Sequence, residues 1–248
     1  MFINQLEINI RPLGDSALVV KFGNEISPLI HKQVIQLVEI VEKEPFDGFI
    51  EAVPSYTNVT IFYNPVTVYY SYQQESKKTL FEVVGTFIES YINKISDSTV
   101  FEHRLVEIPV IYGGQFGPDL EYVAKSNHIS TEEVINIHSE NEYLVYMIGF
   151  APGFPFLGGM DEKIATPRKK SPRPSIPSGS VGIAGKQTGV YPFETPGGWQ
   201  IIGRTPLELF LPNMSPPTRL QSGDKVRFIP ITQEEYYKYK EGMAYNEH

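Results

Sequence analysis

The sequence lacks cysteine entirely and contains one tryptophan in 248 residues. Without thiols, the chain can form neither disulfides nor thiolate nucleophiles nor cysteine-bound metal sites. No apolar run approaches the roughly 18 residues of a membrane span, and residues 1–16 lack the basic-then-apolar pattern of a secretory signal. The 21 basic residues are outnumbered by 29 acidic ones, and a net charge of −8 disfavours nucleic acid as a partner. We therefore expect a soluble, cytoplasmic protein.

Motifs for self-sufficient catalysis are missing as well. The glycine-rich stretch 178–189 contains Gly185-Lys186, but a phosphate-binding P-loop would also need glycine at Ser180 and a hydroxyl at Gln187. Glycines interleaved with Val and Ile are instead typical of a bent β-hairpin at a barrel corner. The histidines lack metal-ligand spacing, and no G-x-S-x-G nucleophile elbow occurs. We expect no metal site and no P-loop in this chain.

The two halves of the chain differ in pattern. The first half alternates strands and helices in the order βαββαβ, ending with a strand over Glu102–Val110, which is typical of a small ferredoxin-like α/β sandwich. The second half is dominated by short strands, Gly and Pro, and it predicts an all-β barrel or sandwich. The polar stretch Ser96–Thr99 predicts a boundary between an N-terminal domain, residues 1–98, and a C-terminal domain, residues 99–248.

Three stretches of the second half carry candidate binding residues. Segment 163–173 holds five basic residues among prolines, so it is either a solvated loop or an anion-binding loop that uses Arg168 and Arg173. The aromatic loop 149–159 either packs against a barrel end or lines an apolar pocket or partner surface. In 195–206, strand alternation places Gln200, Ile202 and Arg204 on one face, which is a pocket wall or a solvated face.

His138 is the one histidine placed to suggest proton transfer. It follows a helix that begins at Ser130 and precedes a predicted barrel strand. A histidine there is either a surface or capping residue or a general acid–base group.

Four long motifs occur in order: YGGQFGPDLEYVA (112–124), YMIGFAPGFPFLGG (146–159), PSGSVGIAGKQTGVYP (177–192) and PGGWQIIGRTP (196–206). Through them the chain resembles the allophanate hydrolase subunit 1 family, also described as carboxyltransferase subdomains C and D. It is most similar to stand-alone members, which include the B subunit of bacterial 5-oxoprolinase and the kinase A inhibitor of bacilli. The resemblance implies a cyclophilin-like β-barrel for the second domain.

The resemblance also implies a function within an assembly. Such members work with a C-subunit-like partner of cyclophilin-like fold and an A-subunit-like hydrolase. Together these proteins use ATP to open the lactam of 5-oxoproline and give glutamate. The alternative implied by the resemblance is a regulatory protein that inhibits a sporulation-type sensor histidine kinase. A prolyl isomerase would rest on barrel shape alone.

Lactam opening needs carbonyl activation and stabilisation of an anion, which suggests roles for particular side chains. We expect catalytic roles for a proton carrier and two hydrogen-bond donors, namely His138, Gln187 and Tyr191. We expect substrate binding by three cations and one aromatic ring, namely Arg168, Arg173, Arg204 and Trp199. The chain alone is expected to lack ATPase and hydrolase activity.

Overall fold

The computed structural model describes residues 2–3, 6–73, 77–96 and 103–246. These residues form two compact units, one within 1–102 and the other within 103–248. The boundary expected between residues 98 and 99 lies outside the described residues. Within those residues, no helix is both long enough and apolar enough to cross a membrane.

A four-stranded antiparallel sheet forms the centre of the N-terminal unit. The strands of this unit are β1 (Phe2–Ile3), β2 (Leu6–Glu7), β3 (Asn9–Pro12), β4 (Ala17–Lys21), β5 (Phe49–Pro54) and β6 (Asn58–Tyr63). The sheet order is β3-β4-β6-β5, whereas β1 and β2 form a separate two-stranded ladder. Val59, Ile61 and Tyr63 alternate inward along β6 and are buried, because successive strand residues face opposite sides of a sheet.

Helices cover one face of this sheet. They are α1 (Pro28–Lys43), α2 (Pro65–Val68), which continues into a π-helical turn over Tyr69–Gln73, and α3 (Leu80–Ile92). Ser27 caps α1 by accepting the Leu29 backbone N–H, and Thr79 and Glu82 form a capping box on α3. The apolar faces of α1 and α3 meet the sheet in a single core, as their 3.6-residue periodicity predicts.

The predicted βαββαβ order is wrong at its last strand. The stretch expected to complete the N-terminal sheet forms β7 (Leu105–Tyr112), which pairs with strands of the second unit. The edge position next to β4 is filled by β3 instead. Alternation identifies a strand from neighbouring residues, but the partner of a strand is set by distant residues and so escapes a local pattern.

The second unit is a closed barrel. Its strands are β7, β8 (Glu142–Ile148), β9 (Pro155–Gly158), β10 (Arg173–Ile176), β11 (Ser180–Ala184), β12 (Gln187–Val190), β13 (Thr195–Gly197), β14 (Gln200–Arg204) and β15 (Lys225–Pro230). Seven of them close in the order β11-β12-β9-β8-β15-β7-β14, and β10 pairs with β13 in a separate ribbon. The fold is thus mixed α/β with a closed seven-stranded β-barrel, and the prediction of a β-rich second half is confirmed.

Three helices and a 3₁₀ turn accompany the barrel. They are α4 (Leu120–Ser126), α5 (Thr131–Glu140), the turn Glu162–Ile164 and α6 (Gln233–Asn246). The Ser130 hydroxyl caps α5 by accepting the Glu133 N–H, and Thr232 and Glu235 bond reciprocally at the start of α6. The starts of α5 and α6 are therefore fixed by local hydrogen bonds.

The glycine-rich stretch is the β11–β12 hairpin, so the hairpin interpretation is confirmed. Ala184 pairs with Gln187 across a two-residue turn, and Gly185 has φ +61°, which glycine adopts without strain. Farther along, Cβ atoms at Gly182 and Gly189 would each lie 3.2 Å from side-chain atoms of Trp199. These two glycines let Trp199 lie directly against the hairpin.

A fragment spanning residues 103–248 is expected to fold alone, because its hydrophobic core is separate from that of the N-terminal unit. A fragment starting at Leu105 should be less stable. It loses the bidentate ion pair from Arg104 to the buried Asp224 and the contact of the His103 ring with the Gly223 carbonyl. We expect a loss of about 1–2 kcal/mol.

Urea denaturation of both fragments measures this difference. Equal midpoints would show that residues 103 and 104 do not belong to the folded unit. A 103–248 fragment without a cooperative transition would contradict its independence.

Candidate functional site

A pocket of about 200 Å³ lies in the second unit, where three loops and two strand ends converge. The loop after β8, strand β9, the basic loop before β10, the residue after β12 and the β13–β14 connection each contribute to it. The lining residues are Phe150, Phe154, Phe156, Arg168, Tyr191, Pro196, Gly197, Gly198 and Trp199. A largely apolar cleft with a few polar groups is the usual form of a small-molecule site.

Aromatic rings form the rigid wall of the pocket. Phe154 is buried, and its ring packs edge-to-face against Tyr191 at 5.6 Å and Trp199 at 5.8 Å between centroids. Phe156 contacts the same ring at 5.1 Å. Perpendicular packing is favoured by the ring quadrupoles, so this wall is held in place without a ligand. The aromatic loop 149–159 therefore both packs and lines a pocket.

Arg168 is the cation of the pocket. Its guanidinium carbon lies 5.9 Å from the Trp199 ring centroid, within the range of a cation–π contact. The side chain is exposed, and among the described residues it forms no ion pair. It is therefore available for an incoming anion, whereas its neighbours Lys169 and Arg173 are already paired.

Asp119 is the partner of those two neighbours. Its carboxylate is buried and accepts hydrogen bonds from Arg173 Nη2 at 2.7 Å and Lys169 Nζ at 3.3 Å. Its other oxygen accepts the Ile201 backbone N–H at 2.7 Å. Although Asp119 occupies the N-cap position of α4, it makes no side-chain cap bond. The carboxylate ties α4, β14 and the basic loop together instead of capping its own helix.

The electrostatics of Asp119 follow from these bonds. Burial alone would raise the pKa of its carboxyl, but the hydrogen bonds from Arg173 and Ile201 and the charges of Arg173 and Lys169 lower the pKa overall. The loop is further fixed by the Lys169 N–H, which donates to the Gly198 carbonyl at 2.7 Å. The Asp119 ion pairs therefore fix the loop that carries Arg168.

Tyr191 supplies a neutral hydroxyl. Burial raises the pKa of Tyr191 to about 12, against opposing effects from the Arg168 charge, a backbone hydrogen bond from Trp199 and the Arg173 charge. The phenol therefore stays protonated near neutral pH. A protonated phenol can donate a hydrogen bond to a ligand acceptor.

His138 lies away from this pocket, fully buried in the barrel interior. Its Nδ1 is 2.7 Å from the Tyr112 hydroxyl and its Nε2 is 2.8 Å from Thr188 Oγ1. Because the Thr188 hydroxyl donates to the Gly182 carbonyl, Nε2 carries the proton and Nδ1 accepts from Tyr112. Burial lowers the pKa of His138 to about 3. The neutral ring links Tyr112 to Thr188 by hydrogen bonds and also stacks on Phe228, with 4.5 Å between ring centroids.

Gln187 and Arg204 also lie outside the pocket lining. Gln187 begins β12 beside the hairpin turn, at the opposite end of that strand from Tyr191. Arg204 ends β14, with its guanidinium 5.6 Å from the Phe116 ring centroid and beside the Tyr236 side chain of α6. Of the seven expected site residues, the structure brings Arg168, Tyr191 and Trp199 to one pocket, with Arg173 adjoining.

Asp119 was missed as a site residue from the sequence, although it stands in the motif 112–124. A carboxylate at a helix start gives no local indication that its partners lie some fifty residues away. No group of three or more His, Asp or Glu side chains in the described part of the chain could hold a metal ion.

Comparison with known proteins identifies the class of this protein. Residues 8–220 match the carboxyltransferase domain, subdomain C and D family, and the chain belongs to that family. The B subunit of 5-oxoprolinase from Bacillus subtilis is 54% identical over 94% of this chain and 96% of its own length. The B subunit of 5-oxoprolinase from Haemophilus influenzae is 41% identical over 90% of this chain and 97% of its own length. A solved structure of a conserved uncharacterised protein from Pyrococcus horikoshii is 45% identical and covers 92% of this chain and all of its own, with a TM-score of 0.53.

Replacing the carboxylate in Asp119→Asn is expected to destabilise the protein by about 1–3 kcal/mol at neutral pH, since two partly buried cations lose their counter-ion. The folded-state pKa of Asp119 is lowered, so its contribution is complete above the unfolded pKa of about 3.9 and is lost as pH falls through the folded value. The difference from wild type should therefore shrink in acid.

Urea unfolding at neutral and acidic pH checks this expectation. Glu121→Gln, which removes an exposed carboxylate from the same helix, is the control and should change little. Identical neutral-pH midpoints for wild type and Asp119→Asn would contradict the role given to the ion pairs.

Proposed function

We propose that this chain is the B subunit of a multi-subunit 5-oxoprolinase, which opens the lactam of 5-oxoproline to glutamate at the expense of ATP. Support comes from relatives of that name, at 54%, 41% and 39% identity over most of the chain. The proposed partners are a C-subunit-like protein of cyclophilin-like fold and an A-subunit-like hydrolase. In this proposal the chain is enzymatic only within the assembly.

The pocket matches the chemistry of that substrate. 5-Oxoproline is a small ring with one carboxylate and one amide carbonyl. The observation that carries the assignment is Arg168, an exposed cation without an ion pair among the described residues, held over the single tryptophan at the pocket. We propose that Arg168 binds the carboxylate in the bidentate way that guanidinium favours, while Trp199 packs on the ring.

Tyr191 has a complementary role in this proposal. Its protonated hydroxyl lies against the end of β13, where a Cβ at Gly197 would lie 2.6 Å from the hydroxyl oxygen. We propose that it donates to the lactam carbonyl, which gains negative charge when the ring is attacked. Arg173 then acts by positioning the loop through Asp119. For His138, Gln187 and Arg204 we propose supporting roles in the barrel, since none of them lines the pocket.

ATP enters this proposal as a reactant of the assembled enzyme. The Gly185-Lys186 turn does not fit a phosphate cradle, because both flanking residues are paired in the hairpin and Lys186 Nζ already contacts Glu162 at 2.5 Å. We therefore assign no nucleotide contact to this turn.

The proposal also covers the fold and the location of the protein. We propose that the barrel is cyclophilin-like, that the N-terminal unit is ferredoxin-like and that the protein is cytoplasmic. Kinase inhibition stays an alternative prediction of the sequence.

Reconstitution with the A-subunit-like and C-subunit-like partners tests the function. The assembly should release glutamate from 5-oxoproline with ATP, and the chain alone should not. In the assembly, Arg168→Gln should raise KM by about ten- to a hundred-fold, because a charge-assisted hydrogen bond contributes roughly 1.5–3 kcal/mol.

Lys170→Gln is the matched control. It removes the same charge from the same exposed loop but from a residue that does not line the pocket, so KM should stay near wild type. Turnover by the isolated chain would contradict the proposal that activity requires the assembly. An unchanged KM for Arg168→Gln would show that the substrate does not bind in this pocket.

A further inference from the structure

Phe150 combines two unfavourable features at the mouth of the pocket. The residue is 76% exposed, and its backbone has φ +68°. A left-handed conformation is uncommon and strained for bulky residues. Glycine would adopt this conformation freely, so nothing in the backbone calls for phenylalanine here.

The surrounding loop fixes Phe150 in this conformation. The Gly149 N–H donates to the Phe154 carbonyl at 3.1 Å, and the Phe154 N–H donates to the Ala151 carbonyl at 2.9 Å. Gly153 has φ +81°, and a Cβ there would lie 3.0 Å from the Leu209 carbonyl oxygen. These constraints close the loop tightly and hold its one large exposed ring outward.

The ring nevertheless belongs to the pocket. It lines the cavity and packs edge-to-face on Phe154 at 5.6 Å between centroids. Phe154 also contacts Trp199, so Phe150 and Trp199 flank the same buried ring. A ligand over this wall would remove the remaining apolar surface of Phe150 from water, which is a favourable contribution that the free protein does not have.

We propose that Phe150 is a specificity-determining residue that covers the ring of a small cyclic carboxylate bound by Arg168. This inference rests on the proposed function for the identity of the ligand, 5-oxoproline. The phenylalanine is strained in the free chain and is favourable only when the pocket is filled. Its ring selects ligands with a flat apolar body, while Arg168 selects the carboxylate.

Trp199 is the single tryptophan of the sequence, so intrinsic fluorescence reports directly on the pocket. Titration of the full chain with 5-oxoproline should give a saturable change, and 2-pyrrolidone, which lacks the carboxylate, should bind more weakly. Phe150→Ala and Phe150→Gly should both raise Kd about ten-fold, because both lose the aromatic contact. Phe150→Gly should melt at a higher temperature than Phe150→Ala, because only glycine relieves the strain.

His128→Gly is the control for strain away from the pocket. His128 has φ +58° and is exposed just after α4, where glycine is favoured. This variant should raise the melting temperature and leave Kd unchanged. A Phe150→Gly variant that melts below Phe150→Ala would show that the position is not strained as described.

The outcomes separate this inference from the proposed function. An active reconstituted enzyme together with no saturable Trp199 change, or with unchanged Kd in both Phe150 variants, overturns the inference and leaves the function. Weaker binding of 5-oxoproline by both variants, with no turnover by the assembly, supports the inference and overturns the function. Loss of association with the C-subunit-like partner, with ligand affinity unchanged, would place Phe150 at an interface between proteins and overturn the inference.

Discussion

The pairing of one buried carboxylate with two cations underlies the architecture of the pocket. Asp119 joins the start of α4 to the backbone of β14 and to the side chains of Lys169 and Arg173. A carboxylate with little exposure is favourable only when it is paired and hydrogen-bonded, so these elements are held together at one point. Arg168, on the same loop, faces the aromatic wall.

The second constraint is space around Trp199. The hairpin strands approach this ring because glycines stand at 182 and 189, where a side chain would crowd it. Phe154 and Tyr191 then pack at right angles to the ring. The glycine-rich stretch thus serves aromatic packing, and its likeness to a phosphate-binding loop is limited to one dipeptide.

One chain of buried polar side chains within the barrel is hydrogen-bonded separately from the pocket. Tyr112, His138 and Thr188 form a chain that ends on the Gly182 carbonyl. Each member has a partner, which is the condition under which buried polar networks specify a fold. A histidine in such a chain stays neutral, so its chemistry differs from that suggested by its position between a helix and a strand.

The sequence by itself determined the elements whose causes are local. The caps at Ser27 and Ser130 and the β11–β12 hairpin follow from hydrogen bonds and alternation within a few residues. Its motifs also determined the family, because long runs in register are specific. The tertiary structure decided that β7 belongs to the barrel, that Asp119 pairs across some fifty residues, and that Arg168, Tyr191 and Trp199 share a pocket while His138 and Arg204 do not. These outcomes depend on contacts between distant residues, which no local pattern encodes.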